Sequence, residues 1–419
     1  MSILYPEIET LSRDDIKACQ FEKLNRMLDY ASKTPFYKDR LPSKIKSFSD
    51  FQKIPFLSKN DLRDAFPYGL LSCPKENIVR VSASSGTTGI PTFSYCSKND
   101  LNDFTRNEML HFSHTGLSSA DTIQCMTAFN LFTAGWGCYQ GSIGLGATII
   151  PCGPGNTQRQ ISLLKQLKPN YSFSNPSYLQ YLLEVMTKDD FDNIELKVAI
   201  TGGEVLTKEF QNLAKKKYNI EVYNFYGMTE FATHIGSECN YHDGLHINED
   251  YLYAEIIDPD TGLVVPDGEY GELVLTNLKR EAMPLIRYRT RDITRFIPQQ
   301  CACGRTHIRM ESITHRIDDM LIINGVNIFP SQIEECIYKN LDTATNYLIR
   351  ISNNKSLKKM QIDIEIPKEL LDNKMQLKVL EQNLIKSLKA YISITPKLKF
   401  VSCGTIPEIQ GKTSKVIIE

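Results

Sequence analysis

The sequence predicts a layered α/β protein with one large N-terminal region of mixed sheets and helices and a small α+β lobe at the C-terminal end. Three observations carry that prediction. Short β-rich runs alternate with helical windows between residues 78 and 228, a turn-rich hairpin pattern covers 251–297, and the remaining hundred or so residues have a strand–helix pattern of their own. Ahead of these, the spacing of Leu24, Met27, Leu28 and Ala31 predicts helix, punctuated by Pro35, Pro42, Pro55 and Pro67. Ile78-Val79-Arg80-Val81 is then a strand entering a Ser/Gly/Thr loop. Gly146–Ile150 is a strand stopping at Pro151, Leu196–Ile200 one stopping at Gly202-Gly203, and Ile220–Asn224 one stopping at Tyr226-Gly227. Helical windows lie at Thr157–Leu167 and Ser177–Met186. Leu252–Ile257 and Tyr270–Leu275 flank the turn residues Asp258–Gly268, as the arms of a hairpin do. From Asp318 the pattern restarts: strand Met320–Ile323, helix Ser331–Lys339, strand Met360–Ile366, helix Leu377–Tyr391 and strand Lys397–Val401. A segment of about 100 residues is the size of a small domain, so the expected division is 1–317 and 318–419. The lysine-rich Asn353–Lys359 reads as a solvated hairpin turn.

Composition narrows the function. The chain has 419 residues, 42% hydrophobic and 23% charged, enough apolar material for a sizeable core. Lys plus Arg is 48 against 49 Asp plus Glu, a formal net charge of −1. There is no basic excess to neutralise nucleic-acid phosphates or to hold the chain on an anionic membrane. No 18 consecutive residues are apolar, and Met1–Glu7 carries neither a basic nor an apolar leader signature. The 11 cysteines, most in apolar surroundings such as Cys96, Cys125, Cys138, Cys152 and Cys336, read as reduced thiols. A cytoplasmic address is expected.

The chemistry concentrates in a few stretches. In Ser82-Ala83-Ser84-Ser85-Gly86-Thr87-Thr88-Gly89-Ile90-Pro91-Thr92, two glycines let the backbone approach an anion and the hydroxyls supply donors, a combination suited to a polyphosphate. It is not a Walker loop, because Gly-Lys-Ser/Thr is absent. Alone, it is as readily an ordinary turn. Tyr223-Asn224-Phe225-Tyr226-Gly227-Met228-Thr229-Glu230 places at a strand end an aromatic able to stack on a base, a threonine able to donate to phosphate, and a carboxylate suited to Mg²⁺. Asp292, inside Tyr288-Arg289-Thr290-Arg291-Asp292, offers two oxygens to ribose hydroxyls, or a surface ion-pair cluster. Lys412, in the polar tail Pro407–Lys415, is free to reach an anion.

Taken in order, Ser84–Gly89, Tyr226–Glu230, Arg316–Glu335 (with Gly325-Val326-Asn327-Ile328-Phe329-Pro330) and Lys412 resemble the adenylate-forming acyl-CoA synthetase superfamily, most closely its phenylacetate–CoA ligase branch, from about residue 20 to the C-terminus. The resemblance implies an adenylate-forming N-terminal domain and a mobile C-terminal one. The implied reaction turns a carboxylic acid, aryl or arylacetic, and ATP into an acyl-adenylate and then a coenzyme A thioester. Position by position, it implies that Ser84, Ser85, Gly86, Thr87, Thr88 and Gly89 cradle phosphates, and that Gly202, Gly203 and Glu204 form the adenine-site turn. Tyr226 and Gly227 then meet adenine, Thr229 the α-phosphate, Glu230 Mg²⁺, Asp292 the ribose and Arg316 the nucleotide. Asp318 falls at the hinge, and Lys412 bridges carboxylate and α-phosphate. Thr127, Phe129, Asn130 and Phe132 fall on the acid-pocket wall, in a run that stands where the phenylacetate enzymes have Tyr-Gly-Tyr-Gly-Leu-Phe; one tyrosine is lost there, Asn130 is gained, and Trp136 keeps the region aromatic. Ile90 stands where lysine is usual, and His315 where glycine precedes Arg316. A carrier-protein thiol as acceptor, adenylyl transfer to a deazaflavin-type cofactor, and a non-catalytic nucleotide-binding protein remain open, as does a homodimer, since relatives are often dimers.

A metal reading comes separately from spacing. Cys301-Ala302-Cys303-Gly304 puts two thiols in one turn, and Cys239 with His246 in another loop completes a Cys₃His set for structural zinc, with His242 as an alternative to His246.

Overall fold

A computed structural model describes residues 3–84, 91–317, 321–323, 326–341, 346–354, 357–392, 394–406 and 415–418. Its centre is a nine-stranded sheet. Five strands run parallel: Thr148–Pro151, Thr122–Cys125, Tyr171–Ser174, Val198–Gly202 and Glu221–Met228, in that spatial order. Beyond Glu221–Met228 the sheet turns antiparallel through Thr233–Glu238, Leu245–Ile247, Arg309–Met310 and Phe296–Ile297. Short βα units build the parallel half, and the right-handed crossovers that join parallel strands leave the ligand crevice at their carboxyl ends.

The alternation seen in sequence thus becomes the parallel half, with additions. Thr122–Cys125 and Tyr171–Ser174 are four-residue strands, each half polar, too short to stand out, and Thr233–Glu238 is buried along its whole length although it carries Thr, His, Ser and Glu. The helix Lys98–Ser113, also not foreseen, begins at a capping box in which Ser97 and Asp100 satisfy each other's backbone amides. Asp100 has a second use, accepting from the amides of Glu281 and Ala282.

The foreseen hairpin pairs Leu252–Ile257 with Gly271–Asn277, and a four-stranded sheet continues through Tyr288–Thr294 to His315–Arg316. The N-terminal helix Arg13–Ser32 packs Leu24, Met27, Leu28 and Ala31 into the same core as Leu252, Leu273, Leu275 and Tyr288. Its neighbour, Pro6–Glu9, is locked by Glu9, which is fully buried and paired with Arg305 and His114.

At the C-terminal end, Lys397–Ser402, Leu357–Ile366, Tyr347–Asn354 and Val416–Ile418 form a four-stranded sheet, with the helices Pro330–Asn340 and Lys374–Ile392 and the hairpin Leu321–Ile323/Val326–Ile328. Among the described residues, the core of this lobe draws on Ile323–Leu398, with Leu321, Phe400 and Val416 packed against it, and on none from the larger region. The lysine-rich stretch is a hairpin pairing Asn354 with Leu357. Among the described residues the lobes meet where Tyr338 Oη donates to Gln180 Oε1 (2.9 Å) and where the His315 ring lies 3.7 Å from that of Phe329. Among the described residues no helix is long and apolar enough to cross a membrane.

Candidate active site and metal centre

The nucleotide-site candidates gather at the carboxyl ends of neighbouring parallel strands. Val198–Gly202 ends in Gly202-Gly203-Glu204, and Gly202 is paired with Phe225, one residue before Tyr226. A side chain at Gly202 would come 2.8 Å from the Phe225 carbonyl oxygen, and Gly203 sits at φ +85°, so this turn requires both glycines. The Glu204 carboxylate accepts from the Ser177 amide at 3.1 Å, at the start of helix Pro176–Val185, which fixes the turn against the next strand's helix.

Tyr226 lies where the pairing with Thr233–Glu238 slips by one residue, a bulge that re-aims side chains at the strand end. Its hydroxyl donates to Asp292 Oδ2 at 2.5 Å, and Arg316 Nη1 donates to Asp292 Oδ1 at 2.6 Å. Asp292 and Arg316 also face each other across their strand pair. Burial, followed by the Asp292 charge, drives the Tyr226 hydroxyl well above its ordinary pKa, so it remains a donor. Tyr226, Asp292 and Arg316, separated by up to 90 positions in sequence, thus form one hydrogen-bonded unit.

Ser85, Gly86, Thr87, Thr88 and Gly89 lie outside the described residues, as do Asp318 and Lys412. The flanks of the glycine-rich stretch are nevertheless placed. Strand Ile78–Ala83 pairs with Phe93–Ser97, the Ser84 amide donates to the Thr92 carbonyl (2.9 Å), and the Thr92 hydroxyl donates to Glu230 Oε1 (3.0 Å) while lying 3.0 Å from Ser84 Oγ. The mouth of that loop is therefore fastened to the Glu230 carboxylate. The fully buried Arg280 supports the same point, donating to the Glu230 carbonyl and Ser94 Oγ, both at 2.5 Å, and to the Tyr95 carbonyl. Thr229 begins the turn after the strand, its carbonyl accepting from the Ala232 amide. Thr92 and Arg280 were not singled out in the sequence. Thr92 closes a polar loop, and Arg280 stands between Lys279 and Glu281, so neither carries a local signal of burial.

The acid-pocket candidates follow strand Thr122–Cys125. Ala83 donates its amide to the Leu131 carbonyl, tying this segment to the strand that enters the glycine-rich loop. Phe129 meets Trp136 edge to face at 5.7 Å, Thr127 Oγ1 lies 3.4 Å from Cys125 Sγ, and Phe132 caps helix Thr133–Gly144. Asn130 is exposed and uses Oδ1 to accept from the Phe132 amide, while its carbonyl accepts from Trp136 Nε1. Its side chain shapes the segment.

Far along the same sheet, Cys239, His246, Cys301 and Cys303 present ligand atoms all within 4.8 Å of one another. Tetrahedral zinc with ordinary bond lengths sets S···S edges of about 3.8 Å and S···N edges of about 3.6 Å. Cys239 Sγ–Cys301 Sγ is 3.7 Å and Cys303 Sγ–His246 Nε2 is 3.5 Å. The donor set fits zinc. His242 points elsewhere, its two ring nitrogens each 3.0 Å from a carboxylate, of Glu221 and Glu238, so His246 completes the set.

Comparison with known proteins agrees with this geometry. The family pattern described as AMP-binding enzyme matches residues 37–278, and the one described as AMP-binding enzyme C-terminal domain matches residues 325–419. Phenylacetate-coenzyme A ligase of Pseudomonas putida is 36% identical over 99% of this chain and 96% of its own length. The crystal structure of 2-hydroxyisobutyryl-CoA ligase in the postadenylation state with 2-HIB-AMP superposes with a TM-score of 0.90 at 25% identity, covering 99% of this chain and 92% of that one. The same ligase in the thioesterification state with 2-HIB-AMP and CoA, at the same identity and coverage, gives 0.72. The two lobes here are therefore disposed as in the former state.

Proposed function

The chain belongs to the AMP-binding enzymes, in the branch that contains the phenylacetate–CoA ligases, and on that premise we propose an AMP-forming acid–thiol ligase. It activates a carboxylic acid with ATP to an acyl-adenylate, releasing pyrophosphate, and passes the acyl group to coenzyme A with release of AMP. The observation that carries this reading is the fastening of the glycine-rich loop's mouth to Glu230 through Thr92, beside the Tyr226–Asp292–Arg316 unit.

Each role follows from charge. A carboxylate attacking the α-phosphate brings two anions together, so positive groups must wait where charge accumulates. Residues Ser84–Gly89 hold the phosphates, Thr229 donates to the α-phosphate, and Glu230 is the carboxylate that would hold Mg²⁺, which supplies charge neutralisation when bound. Gly202, Gly203, Glu204, Tyr226 and Gly227 bound the adenine, while Asp292 takes the ribose hydroxyls with Arg316 beside it. Lys412 bridges acid and phosphate from the mobile lobe, divided from the first after residue 317 near the hinge Asp318. The separate core of that lobe supports the division. Phe129, Phe132 and Thr127 line the pocket for an aryl or arylacetic acid, and Cys239, His246, Cys301 and Cys303 hold structural zinc. Cytoplasmic residence accords with eleven unpaired cysteines.

The deciding experiment follows pyrophosphate release over a panel of aryl and short-chain acids, with and without coenzyme A. Acid-dependent release with thioester formation is expected. Release without thioester would point to a carrier protein or adenylyl transfer, and silence with every acid to a binding role. A finer expectation concerns Tyr226→Phe. Loss of a hydrogen bond to a charged group should raise the KM for ATP about tenfold and leave kcat little changed. An equal fall in kcat would move that hydroxyl into the reacting centre.

A further inference from the structure

Between the acid-pocket segment and the Tyr226–Glu230 turn lies a buried pair that the adenylation chemistry does not use. His234, 5% exposed, sits on the strand that leaves Glu230, and its Nδ1 is 2.5 Å from Oε2 of the fully buried Glu108. The other Glu108 oxygen accepts from the His234 amide (3.0 Å) and the Thr233 hydroxyl (2.8 Å). Although burial opposes it, the facing His234 and these bonds keep the Glu108 carboxyl below its usual range, ionised. An ionised carboxylate only accepts, so Nδ1 carries the proton and the ring is locked in place.

The opposite edge of the imidazole carries Nε2, the nitrogen that Glu108 does not engage. A Cβ on Gly137 would stand 3.2 Å from Cε1 of His234, and a Cβ on Gly227 3.1 Å from its Cδ2. Those two carbons flank Nε2, so a side chain at either glycine would crowd the ring beside that nitrogen; the same Gly137 Cβ would stand 3.0 Å from Glu108 Oε2. One glycine belongs to the helix whose Trp136 packs on Phe129, and the other to the turn carrying Thr229 and Glu230. Phe225, Phe173 and Phe112 wall the ring at 5.2, 5.7 and 5.9 Å, and no hydrogen bond to Nε2 occurs among the described residues. A polar edge held in an aromatic cage is disfavoured unless a ligand pairs with it.

We infer that His234, positioned by Glu108, reads a hydroxyl on the substrate, so the natural acid is a hydroxylated aromatic acid. Neutral imidazole protonated on Nδ1 accepts at Nε2 and imidazolium donates there; a hydroxyl answers both. This inference rests on the ligase reading and selects among its substrates.

The test compares kcat/KM for pyrophosphate release with matched pairs, phenylacetate against its hydroxyphenylacetates and benzoate against its hydroxybenzoates. A site built to pair with a hydroxyl should favour the best hydroxylated member by about tenfold or more over its parent. His234→Phe should bring that ratio close to one, through loss on the hydroxylated acid, and His234→Gln, which can still hydrogen-bond, should keep part of it. A wild-type enzyme indifferent to the hydroxyl, a measurement that needs no variant to fold, overturns the inference and leaves the ligase reading standing, as does an unchanged ratio in His234→Phe. Failure of every acid overturns the ligase reading itself, and the inference with it.

Discussion

Lys412→Ala is expected to lower acid-dependent pyrophosphate release by about 10²–10³-fold, the loss that follows removal of one preorganised charge aimed at a transition state. Supplied with a preformed acyl-adenylate and coenzyme A, the same variant should make thioester at a rate within a fewfold of wild type. The asymmetry follows from domain alternation. A lysine on the smaller lobe, needed while two anions approach, has no task once pyrophosphate has left. The lobe disposition matches the postadenylation state of 2-hydroxyisobutyryl-CoA ligase better than its thioesterification state, and that ligase is seen in both arrangements. The His315–Phe329 ring contact and the Tyr338–Gln180 hydrogen bond are links that a rotation would break. Single-turnover assays of each half-reaction provide the check, and equal loss in both would contradict a swinging lobe.

How much of this was legible beforehand depends on whether the signal was local. Glycine-rich turns after apolar runs are written in adjacent residues, so Gly202-Gly203-Glu204 and Tyr226–Glu230 could be found, together with the strands that end in them. The Leu252–Ile257 hairpin and the helix over 330–340 were readable for the same reason. Partnerships across the chain were not. Thr92 acquires its meaning from Glu230, Arg280 from Ser94 and the Glu230 carbonyl, and Glu108 from His234. Each is a polar residue in a polar-looking window, and only tertiary pairing reveals that it is buried. The strand Thr233–Glu238 was missed on the same account, because its polar side chains find partners inside the protein and so never alternate with apolar ones. The candidate zinc ligands were an intermediate case. Cys301 and Cys303 announced themselves by proximity, whereas the choice between His242 and His246 required the carboxylates of Glu221 and Glu238 to be in place.

Cys301→Ser should abolish bound zinc and lower Tm by about 3–5 °C, as loss of roughly 3 kcal/mol does in a chain of this size. The argument is one of support. Phe296–Ile297 and Arg309–Met310 are two-residue strands at the edge of the nine-stranded sheet, with too few ladder bonds to hold themselves in place. The Cys301–Cys303 turn lies between them, His246 is on the strand paired with Arg309, and Cys239 directly follows Thr233–Glu238. One ion held by these four ligands would add a crosslink to three segments otherwise joined by short strand pairings and by Arg309, which donates to Asp243 and to the Gln299 carbonyl, and ligand binding to the folded state alone is folding free energy. The strand that ends at Cys239 is also the strand that leaves Glu230 and carries His234, so loosening the edge reaches the acid pocket. Adenylation should therefore weaken along with Tm. Metal analysis of the purified protein should give one zinc per chain. Strong chelation should bring wild type down to the Tm of Cys301→Ser and do nothing further to the variant, since both remove the same crosslink. A wild-type protein without zinc, or a variant that melts with wild type, would leave the four side chains as neighbours and no more.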